Sequence, residues 1–159
     1  MLIRNYGLFW KRDTVFWGRQ KNPGHLKGVH AKKLKAKPVD FRNQQGVYVL
    51  YDDNFRIIYM GQAGASDQQK LFIRLRQHKK DHLAQRWSRF SWFGIIPAED
   101  GVLKESKVEM TLSAKSALDH IEAVLIAAAE PPLNLQRGRF GENVDQYLQF
   151  VEGDEEEEE

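Results

Sequence analysis

Two β-branched and aromatic runs, Gly46-Val-Tyr-Val-Leu-Tyr51 and Phe55-Arg-Ile-Ile-Tyr-Met60, are separated only by Asp52-Asp-Asn54. Such residues suit a pleated, half-buried surface, and Asp and Asn side chains bond their own backbone in turns. The segment therefore reads as an antiparallel hairpin, and the fold has to be built around it. Gly61-Gln-Ala-Gly64 breaks the second strand, and 65–69 reads as a loop. Residues 69–84, rich in good helix formers, predict a helix. Residues 86–96 carry Trp87, Phe90, Trp92 and Phe93, and their second half reads as a third strand. After a turn at 97–101, residues 102–112 read as a further hairpin or edge strand. Ser116 to Ala129 is the strongest helical pattern, stopped by Glu130-Pro-Pro132. Within it Leu118, Ile121 and Leu125 are expected to face the core. Leu133 to Leu135 reads as extended and 143–151 as a last short helix.

Charge divides the chain into three. The net charge is only +2, yet residues 1–45 hold eleven Lys or Arg against Asp13 and Asp40, while seven acids crowd Glu152 to Glu159. The expected organisation is a basic, aromatic N-terminal extension over 1–44, a domain over 45–151 and an acidic, disordered tail over 152–159. In the extension, Tyr6 to Trp10 and Val15 to Trp17 read as a hairpin, and Gly18 to Pro38 as a loop. Its Lys32, Lys33, Lys35 and Lys37 suit phosphate contacts as well as a solvated loop. Trp10, Trp17 and Trp87 suit either core packing, the simpler reading, or stacking on bases. With no cysteine, thiol nucleophiles, zinc–thiolate sites and disulfides are excluded. No apolar run approaches the roughly 20 residues of a membrane helix, and charges interrupt any secretory signal at the start, so a cytoplasmic protein is expected.

Chemistry-bearing residues stand out next. Glu122 lies in a run, 121–129, that is otherwise apolar, so its carboxylate needs a partner, a proton or a metal. Arg74 and His78 share a helix face at i and i+4. Tyr48 and Tyr59 sit on the two hairpin strands. Singly, each has an ordinary structural explanation: an ion pair, a solvated helix or sheet packing.

Together and in order they carry a pattern. Gly46-Val-Tyr48 and Tyr59-Met-Gly61 are one hairpin apart, Arg74 and His78 follow on a helix, and Glu122 is followed by Pro132 and Asn134. This set resembles the GIY-YIG nuclease family over residues 45–136, with Val47 and Met60 in place of isoleucines and a somewhat long loop after Gly61. The resemblance implies an α/β (α+β) fold: a small, mainly three-stranded antiparallel sheet flanked by helices, here with the basic N-terminal extension. It implies a DNA endonuclease that hydrolyses phosphodiester bonds with Mg2+ or Mn2+. In it Glu122 ligates the metal, Arg74 forks onto the scissile phosphate, and Tyr48, Tyr59 and His78 position or deprotonate the water, the base being Tyr48 or His78. Gly46, Gly61 and Asn134 are structural residues near the site. Lys32, Lys33, Lys35, Lys37 and Arg76 are expected to contact nucleic acid. A restriction or defence role is expected ahead of DNA repair. A non-cleaving nucleic-acid-binding module of the same fold is the alternative, and a homodimer is compatible with a double-strand cut.

Overall fold

The computed structural model describes residues 2–105, 114–129, 140 and 143–151, with the side chains of 114–119, 121 and 122 not included. Nine strands and two α-helices occur among them: β1 Asn5–Lys11, β2 Lys27–His30, β3 Val39–Asp40, β4 Gly46–Tyr51, β5 Ile57–Ala63, α1 Leu71–Gln77, β6 Arg89–Gly94, β7 Ala98–Glu99, β8 Val102–Leu103, α2 Ala114–Ala129 and β9 Asp145–Gln149. Seven strands form one sheet in the order β3-β2-β9-β1-β6-β4-β5, and β7 pairs with β8 apart from it. The sheet is mixed, because β1 runs parallel to β9 and antiparallel to β6.

This corrects the expected small three-stranded sheet flanked by helices. The hairpin does form, with Tyr48 opposite Gly61 and Leu50 opposite Tyr59, and β6 lies antiparallel on its other side. The rest of the sheet comes from segments read otherwise. The two aromatic runs of the N-terminal segment do not pair with each other. The first is β1, inserted between β6 and β9, and Phe16 of the second bridges to His25. Part of the expected loop is β2 and the expected last helix is β9, paired through Gly28↔Gln149 and Val29↔Leu148. Those pairings join residues far apart in the chain, and neither strand is long enough to show alternation by itself.

The sheet separates two cores. On one face Trp10, Leu26, Phe41, Tyr48, Leu50, Phe90 and Trp92 pack with Leu71, Phe72 and Leu75 of α1. On the other, Ile3, Tyr6, Val49, Tyr51, Phe93 and Val144 pack with Ala127 and Ala128 of α2. The Tyr51 hydroxyl donates to the Ala128 carbonyl at 2.6 Å, which ties α2 to the sheet. Leu125, expected in the core, is 53% exposed, and among the described side chains of α2 the buried ones are His120, Ala123, Ala127 and Ala128. Trp10 and Trp87 are core residues.

Buried amides pin the strand ends. Gln44 donates to Asn5 Oδ1 at 2.7 Å and to the Ile96 carbonyl at 3.0 Å, and its Oε1 accepts from the Ile96 N–H. Where β4 starts, Gly46 has φ +145° and a Cβ there would run into the Phe93 carbonyl oxygen, so only glycine lets β4 meet β6 at this point.

Burial pushes the phenols of Tyr48, Tyr51 and Tyr147 up to about 12. A raised folded-state value means that the fold favours the protonated phenol. That stabilisation is complete below the unfolded value near 10 and is lost as pH rises through 12, by roughly 2–3 kcal/mol per phenol. Thermal melts taken from pH 9 upward are therefore expected to fall steeply between about pH 10 and 12. A midpoint that holds level across that window would contradict the burial of these hydroxyls.

Candidate active site

Alternation along β4 sends Tyr48 and Leu50 to the α1 side and Val49 and Tyr51 to the α2 side. The register with β5 then sets Gly61 directly under Tyr48. A Cβ at Gly61 would strike the Tyr48 ring and hydroxyl and would lie 2.8 Å from the Tyr59 ring. The glycine is thus what lets the Tyr48 phenol lie across β5.

Helix α1 is shorter than the predicted 69–84. It ends at Gln77, because Asp81 takes the Leu83 N–H at 2.8 Å and the following residues turn. The turn has a consequence for His78, which caps the helix. Its Nε2 lies 2.7 Å from the Tyr48 hydroxyl and its Nδ1 lies 2.8 Å from Asp81 Oδ2. Its carbonyl accepts from Trp87 Nε1 at 3.0 Å, which fixes the backbone beneath the ring. Tyr59 closes the group, its ring centre 4.7 Å from that of His78 and 6.1 Å from that of Tyr48. Arg74 is one turn before His78. Its Nε is buried with no hydrogen-bond partner among the described residues, and its Nη1 reaches Gln77 Oε1 at 3.4 Å.

The protonation states follow from the surroundings. Burial is the largest influence on Tyr48 and raises it, with the Arg74 guanidinium opposing, so the phenol is neutral at pH 7. Burial acts upward on Asp81 too, but the Leu83 N–H and the His78 ring outweigh it and hold the carboxyl below its usual range. An ionised Asp81 can only accept a hydrogen bond, so Nδ1 of His78 carries a hydrogen, and with the ring neutral Nε2 is the acceptor for the Tyr48 hydroxyl. Asp81 is a residue that the sequence reading missed, although its i+3 spacing from His78 was visible. Asp81→Asn is expected to remove this tautomer preference. Imidazole 15N shifts of His78 should show an unprotonated, hydrogen-bonded Nε2 in the wild type and a tautomer mixture in the variant; identical spectra would contradict the assignment.

The structure thus brings Tyr48, Tyr59, Arg74 and His78 together on one face of the sheet. Glu122 lies on α2, whose described contacts are with the opposite face, and its side chain lies outside the described residues. Asn134 also lies outside them. Lys32, Lys33, Lys35 and Lys37 occupy the β2–β3 loop, and β9, β1 and β6 lie between β2 and β4 in the sheet. Arg76 lies on α1 with its guanidinium carbon 5.3 Å from the Phe72 ring centre. Among the described residues no cluster of three or more His, Asp or Glu is placed to hold a metal ion. None of the described helices is long and apolar enough to cross a membrane. Compared with models of known families, with curated proteins and with solved structures, the chain matches none.

Proposed function

We propose that the protein is a cytoplasmic, divalent-metal-dependent DNA endonuclease that uses GIY-YIG-type chemistry. The observation that carries this reading is the linked set Tyr48–His78–Asp81, with hydrogen bonds of 2.7 and 2.8 Å, beside an Arg74 whose Nε has no partner among the described residues. A neutral buried phenol is a poor base alone. Here its proton has a destination, His78 Nε2, and the resulting imidazolium is stabilised by the Asp81 carboxylate. Water attacking phosphorus would give its proton to the Tyr48 oxygen as Tyr48 passes its own to His78. The new P–O bond forms, the ester bond breaks, and the leaving oxygen takes a proton from solvent. Arg74 presents a planar guanidinium to the phosphoryl oxygens, where charge builds up.

The resemblance assigns Mg2+ or Mn2+ to Glu122, where it would neutralise phosphate charge. The described residues around Tyr48 do not themselves fit a cation: the carboxylate there is Asp81, already engaged by His78 and Leu83.

A second reading has one observation in its favour. The described part of α2 packs against the face opposite Tyr48, which suits a DNA-binding module that does not cut. A supercoiled-plasmid assay with magnesium, and with EDTA in its place, separates the two. The nuclease reading expects nicked or linear product only with the metal. Binding without conversion under both conditions would favour the module. Restriction or defence is the role we propose, and a double-strand cut by one site per chain would draw on a homodimer.

A further inference from the structure

Beside the end of α1 lies a groove of about 570 Å³ between the helix end and residues 17–23. Arg19, Arg76, Lys79 and Lys80 line it with Trp17, and no acidic residue does. Among the described residues none of these four cations has a carboxylate within 4 Å. We propose that this groove holds the phosphate backbone of the DNA whose cleavage is assigned to the Tyr48 cluster, the inference resting on that assignment for the identity of the ligand.

The surrounding chemistry argues for an anion. The Lys79 ammonium sits 4.7 Å over the Trp17 ring, and Trp17 also meets Phe72 and Trp87. Trp17 is therefore a platform that presents Lys79, rather than a free surface for a base. Burial makes Lys79 easier to deprotonate than usual, and repulsion from Arg12, Lys80 and Arg76 adds to this, with Asp13 pulling the other way. A phosphate entering the groove would relieve that repulsion. Lys79 and Lys80 directly follow His78 in the chain, so the groove opens at the C-terminal end of the helix that carries Arg74 and His78. The N-terminal segment thus grips DNA at Arg19, in place of the lysines of the β2–β3 loop.

The test is equilibrium binding of a short labelled duplex in EDTA, read by anisotropy over a range of salt, which does not depend on cutting. Arg19 and Lys80 are exposed, so Arg19→Ala/Lys80→Ala should melt like the wild type. Each lost phosphate contact lowers the slope of log K against log salt by about 1, so the pair should lower it by about 2 and weaken binding roughly tenfold or more. Arg56→Ala, an exposed cation in the hairpin turn, should leave binding unchanged. An unaltered slope in the pair overturns the groove, as does a larger loss in Lys32→Ala/Lys35→Ala than in the pair. If the plasmid is still cut while the slope is unaltered, only the groove fails. If the protein neither binds nor cuts, the nuclease reading fails with it.

Discussion

A fragment beginning at Gly46 is expected not to fold. The family-like stretch looks self-contained, but β1 is an interior strand with β6 on one side and β9 on the other. Its removal opens both ladders. It also takes away Ile3, Tyr6, Trp10, Leu26, Val39 and Phe41, all buried. At about 1.5–3 kcal/mol per large apolar side chain, their loss removes roughly 10 kcal/mol or more. That is comparable to the whole stability of a typical domain, about 5–15 kcal/mol. The loss also uncovers Trp92, which packs 5.4 Å from the Trp10 ring and 4.4 Å from that of Phe41. The fragment should show no cooperative thermal transition by circular dichroism and poor dispersion in proton NMR. A sharp melt would mean that the N-terminal segment is an appendage after all.

Tyr48→Phe is expected to lower DNA cleavage roughly 100- to 10,000-fold, the usual range for losing a positioned proton-transfer group. The ring stays, so the 0%-exposed packing of Tyr48 on Gly61 and Leu75 is kept. The variant loses one hydrogen bond and leaves His78 Nε2 without its donor, a stability cost of about 1 kcal/mol. The check is a single-turnover rate beside a thermal melt. A large rate loss with a small melting shift separates proton transfer from packing, whereas a rate within twofold of the wild type would remove Tyr48 from the chemistry.

Local patterns were legible in the sequence and non-local ones were not. The β4–β5 hairpin is a run of strand formers folded back through Asp52-Asp-Asn54, so every contact that defines it is close in the chain. Helix α1 was legible in type but not in length, because the Asp81 side chain competes for backbone N–H groups just past it. Strand β9 was misread for a specific reason. Val144, Tyr147, Leu148 and Val151 recur at helical spacing, yet pairing with β1 and β2 draws 145–149 out as a strand. The β2 strand hid behind Gly28, whose missing side chain makes room for the Trp10 ring. At the site, motif order singled out Tyr48, Tyr59, Arg74 and His78. The third member of the hydrogen-bonded chain, Asp81, needed the turn after α1 to bring its carboxylate back to Nδ1.

The most direct test of the proposed chemistry is the cleavage rate of Arg74→Ala on supercoiled DNA with magnesium, beside the wild type at matched DNA binding. Arg74 has no partner at its buried Nε among the described residues and only a 3.4 Å bond from Nη1 to Gln77 Oε1, so its removal should shift the melt only slightly. Loss of a group that stabilises charge on the phosphoryl oxygens should lower the rate by about 100-fold or more. A variant that cuts as fast as the wild type would contradict the assignment of this face of the sheet as a nuclease centre.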